Sequence, residues 1–400
     1  MADTRAFSHT RKPVTVGLLL TLTLLGVFPI DVVLPSFPAL SEHFGRSSSD
    51  IALSVSLFAV GIAFSQLLVG PLSDAMGRKN LLLIGISVSA LGAAGCVLAE
   101  SFGGFLLFRV VQALGCGFFV LSQALIQDLF TGLEQQRLRI FLVTCGGVFI
   151  SVSPWAGTGL QSWMGWPGSF LVFIILAIGA FLGACLFLHH PAGCPPRPMS
   201  FIASYRKVCG DPGFMAYWLT SALAFSCHFS FIVISPLLLI DQLQLSPEAF
   251  SLVLLGYGLA YIGGGAVATL LGNRIESQTQ IIVGLGLIFA AGMLMLGLAC
   301  QFGLSVTTLL LPMLMCTVGT TIARAAAHTQ AMNIFPAHAG TSASAGSVLI
   351  FIVGGLTSAA ISLTPLDRQV TLALCLILLS FLGLMVNALV RHRYGTLPTG

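Results

Sequence analysis

Residues 140–196 read IFLVTCGGVFISVSPWAGTGLQSWMGWPGSFLVFIILAIGAFLGACLFLHHPAGCPP, and none of them is Asp, Glu, Lys or Arg. Two bilayer crossings of about 20 residues each, joined by a tight turn, fit into such a stretch. Charge is equally absent from 277–323 and from 325–366. Over the 400-residue chain 56% of the residues are apolar and 8% are charged, whereas a soluble domain carries about a quarter charged residues. A water-facing surface cannot be built from so few charges. These proportions exclude a soluble enzyme, a nucleic-acid-binding module and a secreted disulfide scaffold. They imply an all-α integral membrane protein.

The ten cysteines agree. Most sit inside apolar runs (Cys96, Cys116, Cys145, Cys185, Cys227, Cys300, Cys316, Cys375) and read as small apolar fillers. No Cys-x-x-Cys pair and no Cys/His cluster with zinc spacing occurs, so neither a metal nor a cofactor is expected. Cys194 and Cys209 share a loop assigned below to the cytoplasm, where disulfides are rare. Arg11 and Lys12 precede the first apolar run. That run has no small-x-small cleavage site before Asp31 and continues through prolines, so it reads as a retained helix.

Apolar segments recur at 14–38, 50–71, 80–99, 104–127, 139–162, 168–188, 213–238, 249–271, 278–300, 304–331, 340–362 and 369–390. This predicts twelve transmembrane helices. With the N-terminus in the cytoplasm, Arg5, Arg11, Lys12, Arg78, Lys79, Arg137, Arg139, Arg197, Arg206, Lys207, Arg274, Arg391 and Arg393 all fall inside. Only Arg46 and Arg368 fall in external loops, and basic residues concentrate on the cytoplasmic side. Both termini are therefore expected inside, and the net charge of +4 is a topology signal. The longest connection is rich in proline (Pro191, Pro195, Pro196, Pro198) and carries Arg206 and Lys207 in an amphipathic patch suited to the inner leaflet. It divides the chain into an N-terminal six-helix bundle (1–190), a cytoplasmic linker (191–212) and a C-terminal six-helix bundle (213–400).

Asp31 is the acidic residue placed well inside an apolar segment, in FPIDVVLPSFP between Pro29, Pro35 and Pro38. Burying an ionised carboxylate costs several kcal/mol, so Asp31 must face a cavity, pair with a cation or take up a proton. Arg109, in the external third of the fourth helix, must line water or meet a partner. Arg324 lies in the inner half of the tenth helix, and two readings stay open for it. It balances Asp31 or a helix C-terminus, or it binds an anionic substrate group. His228 and His328 are isolated polar residues in helices seven and ten; they are packing residues or proton relays. Trp163 and Trp166 read as anchors at the outer interface.

The decapeptide GPLSDAMGRK at 70–79 ends the second helix. Gly70 permits close helix approach, Gly77 lets a short loop reverse, and Arg78 and Lys79 obey the positive-inside rule. Asp74 can pair with a base or a helix N-terminus across the interface between halves. The segment resembles the signature loop of the major facilitator superfamily. Asp31 with its spaced prolines, RVVQALGCG at 109–117, SPLLL at 235–239 and AGTSASAGS at 339–347 resemble the twelve-helix drug/proton antiporters, in particular the bicyclomycin/chloramphenicol resistance subgroup.

The resemblance implies two six-helix bundles rocking about a central cavity. It implies a conformational latch at Gly70, Asp74, Gly77, Arg78 and Lys79, and a gating role for Arg109 beside Gln112. In the fifth helix, SVSPWAGTGL matches the motif that marks exporters, with Pro154, Gly157 and Gly159 kept and Ser153 in place of its glycine.

No Walker sequence, Gly-x-Ser-x-Gly or His-Glu-x-x-His is present, so neither direct ATP use nor hydrolase chemistry is expected. The expected function is proton-driven export of small organic molecules by a monomer in a bacterial inner membrane. Protons, the substrate and the lipid bilayer are its partners, and nucleic acid is not. Proton coupling falls to Asp31 and Arg109, and the candidate substrate contacts are Asp31, Gln112, Arg324, His228 and His328. The alternative is a dedicated exporter of an endogenous metabolite such as a polycarboxylate siderophore, which Arg109 and Arg324 in one cavity would suit.

Overall fold

Prolines set where the first crossing breaks. In this computed structural model, which describes residues 12–130, 132–188, 201–272, 274–335, 339–364 and 366–394, α1 (Lys12–Asp31) stops at Asp31. Pro35 and Pro38 offer no N–H to the carbonyls four residues earlier, so the ladder cannot continue. A turn of 3₁₀ helix at Leu34–Ser36 follows, then α2 (Phe37–Phe44), and the composite crossing spans 33 residues.

The remaining elements begin and end for local reasons. At the start of α3 (Ser48–Met76), Ser47 Oγ accepts from Asp50 N at 3.2 Å while Asp50 Oδ2 accepts from Ser47 N at 3.2 Å, a reciprocal cap. The chain turns into α4 (Arg78–Leu98) at Gly77, whose φ of 78° admits glycine readily and other residues only with strain. α5 (Phe102–Cys116) and α6 (Leu121–Leu129) form one crossing around a 3₁₀ turn, followed by α7 (Gly132–Met164) and α8 (Gly168–Phe187).

The second half opens with the short α9 (Phe201–Cys209). α10 (Pro212–Pro236) is capped by Asp211, whose Oδ1 accepts from Phe214 N at 2.7 Å, and winds on as a π turn to Gln242. Then come α11 (Pro247–Gly272), α12 (Ser277–Phe302), α13 (Val306–Ile334), α14 (Ala339–Leu363) and α15 (Arg368–Tyr394). Among the described residues eleven stretches are long and apolar enough to cross a membrane. α7, with 33 residues and so about 50 Å long at 1.5 Å per residue, has the length of a twelfth.

Small residues set how closely the helices pack. A Cβ on Gly284 would lie 2.6 Å from Gly319 O, so α12 and α13 touch backbone to backbone. α4 meets α5 in the same way, where a Cβ on Gly115 would strike Ser89 N. Two further pairings join the N-terminal to the C-terminal helices: α3 with α14, and α7 with α11. Along α3 and α14 the contacts run from Ser56 and Ser358 to Ser344 Oγ donating to Gln66 O (2.8 Å), and at the start of α15 Arg368 Nη2 donates to Ser49 Oγ (2.9 Å).

The expected linker at 191–212 lies partly outside the described residues, which exclude 189–200, and its remainder includes α9. Val208 is fully buried, Arg206 and Lys207 are exposed, and Tyr205 donates to Ser344 Oγ at 2.8 Å. Arg5, Arg11 and Arg197 lie outside the described residues, as do the side chains of Gly70, Asp74, Arg139, Arg391 and Arg393. Of the two tryptophans read as interface anchors, Trp163 is 86% exposed. Trp166 differs: it turns inward onto His43, Phe44, Phe105 and Phe170, because an aromatic cluster beneath it provides more contact than the boundary does.

Candidate functional site

Asp31 closes α1 and is 6% exposed. Among the described residues it has no hydrogen bond and no ion pair; the salt bridge found there joins Lys12 to Glu134 instead. Two residues earlier, the Pro29 carbonyl is one of those a helix C-terminus leaves without an intrahelical partner. Arg109 satisfies it. Its Nη2 donates to Pro29 O at 3.1 Å and its Nη1 to Gln112 Oε1 at 2.8 Å, while the guanidinium lies over the Phe58 ring at 4.3 Å. Arg109 is 0% exposed. It pins the broken end of α1 to α5, and its positive charge suits the negative end of the helix dipole.

The fifth-helix motif sits on the contact between halves. Pro154 O accepts from Ser251 Oγ at 3.1 Å, and Thr158 Oγ1 meets Pro247 O at 3.2 Å, so α7 holds the start of α11. At Gly157 any Cβ would strike Val32 O, the carbonyl next along from Asp31. A Cβ on Gly159, by contrast, would meet nothing within 4 Å.

A cavity of about 520 Å³ opens within the C-terminal helices, near the turn from α11 to α12. Tyr261, Gln280, Thr321, Arg324, His328 and Thr329 are among its lining residues, and none of the lining residues is acidic. Arg324 stacks over Phe225 at 4.7 Å, and its Nη1 donates to Tyr261 Oη at a long 3.5 Å. His228 is buried behind this pair: its Nδ1 lies 2.6 Å from Tyr257 Oη and 3.4 Å from Thr317 Oγ1, with its ring 5.2 Å from that of Tyr261. His328 meets Trp218 edge to face at 4.8 Å.

The structure thus gathers Arg324 and His328 at one cavity, with His228 behind its wall. Asp31, Arg109 and Gln112 do not line it. The pairing of Arg324 with Asp31 allowed by the sequence is not formed, and the two arginines do not share this cavity. In the 70–79 segment, Arg78 Nη1 donates to Ala124 O at 2.5 Å and Lys79 Nζ to Cys185 O at 3.0 Å, tying the turn to α6 and α8.

Sequence reasoning missed Tyr257 and Tyr261. They stand four apart on α11, which places them on one face of a helix, and that spacing was the available signal.

A family model described as the Major Facilitator Superfamily matches residues 19–359. The chain belongs to that family. It is a multi-pass membrane transporter of small molecules and not an enzyme. The chain is 31% identical over 267 residues to the uncharacterized MFS-type transporter YdgK of Bacillus subtilis, covering 65% of this chain and 66% of that one. It is 28% identical over 371 residues to a chloramphenicol resistance protein of Pseudomonas aeruginosa, covering 88% and 84%. The fold resembles that of a D-xylose-proton symporter, with a TM-score of 0.73 over 93% of this chain and 97% of that one at 16% identity.

Proposed function

We propose that this transporter exchanges protons for small organic molecules and moves the latter out of the cell, with Asp31 as the proton-carrying group. The observation that carries the reading is Asp31 itself: a carboxyl 6% exposed, at the break in the first crossing, in no ion pair among the described residues. A permanently ionised carboxylate there would lack any compensating interaction, and burying one costs several kcal/mol or more. A carboxyl that is protonated from one side and releases its proton to the other suits the site.

Arg109 holds the end of α1 in place during that cycle, and Gln112 orients the guanidinium. The named resistance relative supports a drug-like cargo and an export direction. The distribution of basic residues supports cytoplasmic termini in a bacterial inner membrane, and a single chain carries every group the reading needs. The polycarboxylate siderophore reading asks for Arg109 and Arg324 in one cavity, and Arg109 is not among the residues lining the cavity around Arg324.

The test is transport in proteoliposomes. With chloramphenicol as probe and an imposed pH gradient, Asp31→Asn should abolish uphill movement while the protein still purifies as a folded species. Gradient-driven transport at the wild-type rate by that variant would overturn the assignment.

A further inference from the structure

We propose that the cavity around Arg324 is a binding site for organic monoanions, in which a guanidinium edge left free by the fold receives a single carboxylate. This rests on the reading above only in taking small organic molecules as cargo.

Arg109 is buried and Arg324 half-buried; both bury an Nε without a hydrogen bond, and they differ in what surrounds the terminal nitrogens. Arg109 has both terminal nitrogens engaged, one by a side chain and one by a backbone carbonyl, and is closed off from solvent. Arg324 lines a cavity, and only its Nη1 has a partner, at 3.5 Å. Its Nε is buried without a hydrogen bond, and among the described residues its Nη2 has none either. Nε is closed off by the fold, so the two terminal nitrogens, Nη2 without a partner and Nη1 only weakly engaged, are the donors the cavity offers to a carboxylate.

The surroundings select for an anion. Phe225 beneath the guanidinium and the Tyr261 hydroxyl beside it hold the group in place without neutralising it. Thr321 and Thr329 direct their hydroxyl protons to carbonyls of their own helix, Val318 O at 2.8 Å and Ala325 O at 2.9 Å. The Gln280 amide nitrogen is engaged by Ile275 O at 2.9 Å. Ser221, Ser277, His328 and the second Gln280 amide proton are neutral donors of this lining; Arg324 is the charged one, with the Tyr261 hydroxyl next to it. No lining carboxylate competes for it or offers a counter-charge to a cationic cargo. The volume, about 520 Å³, lies within the range of roughly 300–1,000 Å³ typical of small-molecule pockets. One fixed charge in that space fits one carboxylate on a compact, ring-bearing body.

The experiment is equilibrium binding to the full-length chain in nanodiscs of phosphatidylcholine, without any gradient. Radiolabelled salicylate is the probe, salicylamide its neutral counterpart, and cinnamate and naphthoate are competitors. Wild type should bind salicylate saturably and in preference to salicylamide. Arg324→Gln should weaken salicylate at least about tenfold, as loss of a charge-assisted pair requires, and leave salicylamide unchanged. Arg324→Lys, which keeps the charge but lacks the fork, should fall between.

Equal losses for acid and amide overturn the proposal, as does the absence of saturable binding by all three acids. Loss of salicylate binding when phosphatidylglycerol replaces part of the phosphatidylcholine assigns the site to a lipid headgroup and also overturns it. If Arg324→Gln does not stay monodisperse, Arg324→Lys alone decides, because a site that reads charge without the fork leaves its affinity intact. Salicylate binding through Arg324 together with no movement of chloramphenicol by an imposed pH gradient in the wild type would defeat the export reading and leave this one standing.

Discussion

Ser56 and Ser358, separated by 302 positions in the chain, place their hydroxyl oxygens 2.8 Å apart where α3 meets α14. Both are buried, and each hydroxyl also lies within reach of a carbonyl of its own helix: Ala52 O for Ser56 at 3.5 Å and Gly355 O for Ser358 at 3.0 Å. One turn along, a Cβ on Gly355 would come within 2.9 Å of Ser56 O. The contact is therefore polar but shallow, held by a hydrogen bond that inside a membrane is worth about 0.6 kcal/mol. Such a seam can part.

Ser358→Ala should shift the balance between the packed and separated arrangements of α3 and α14 about two- to threefold, the population change that such an energy implies. Ser56→Ala should do the same, and the double variant should add nothing more, because one interaction is being removed. Gly355→Ala should act more strongly, since its methyl would strike Val60 and the α3 backbone. Spin-label distances across the seam measure all four. Additive effects of the two serine variants would mean that the hydroxyls do not act as a pair.

Arg109 and Arg324 should separate in stability as they do in surroundings. Arg109→Ala leaves the Pro29 carbonyl and the Gln112 amide unpaired in a fully buried site, where breaking such a network costs about 3 kcal/mol. Arg324→Ala removes one long hydrogen bond and a stacking contact, for about 1 kcal/mol. Thermal unfolding of the detergent-solubilised protein should show a clear drop in melting temperature for the first and a small one for the second. The opposite order would contradict the contrast drawn between them.

The turn after α3 should set conformational balance more than affinity. Removing Arg78 together with Lys79 releases the contacts to the carbonyls of Ala124 within α6 and of Cys185 in the last turn of α8. Asp74→Asn tests the acidic member of the same motif. Both should change the ratio of the two open states, read by cysteine accessibility on each face, while chloramphenicol binding stays within about twofold. A large loss of binding with unchanged accessibility would place the motif in the substrate site.

Tyr205 tethers α9 through Ser344, whose hydroxyl in turn donates to Gln66 O. Burial pushes the Tyr205 phenol up from its ordinary value, an effect the bond to Ser344 partly offsets. A phenol that holds its proton more tightly when docked binds more protons in the native state, so docking weakens as pH rises past about 10. Tyr205→Phe should speed hydrogen exchange across α9 at neutral pH and flatten that alkaline dependence. An unchanged exchange pattern would leave the tether without a role.

The crossings were legible because charge is largely confined to the turns; the break after Asp31 was not, because 14–38 reads as one apolar run that continues through its prolines. The surroundings of single residues were not legible. Arg109 and Arg324 look alike in sequence, each a lone base in an apolar helix. What separates them is contributed by other helices: Pro29 and Phe58 for one, Tyr261 and Phe225 for the other. Ser56 was equally hidden, since nothing local distinguishes it from Ser54, whose hydroxyl serves its own helix through Ile51 O at 2.6 Å. The cluster that half-buried Trp166 joins was hidden as well, because Phe44, Phe105 and Phe170 come from three other elements.

Gly157 brings α7 against the carbonyl oxygen of Val32, and the same helix grips the start of α11 through Pro154 and Thr158. The α7 backbone therefore works as a lever with one arm on the C-terminal helices and the other on the peptide next to Asp31. A displacement of α11 would have a route through that backbone to Val32 and to the carboxyl-bearing residue before it. On the proposed mechanism the proton site and the Arg324 cavity need no charge in common: a backbone that leans is enough to let each register the state of the other.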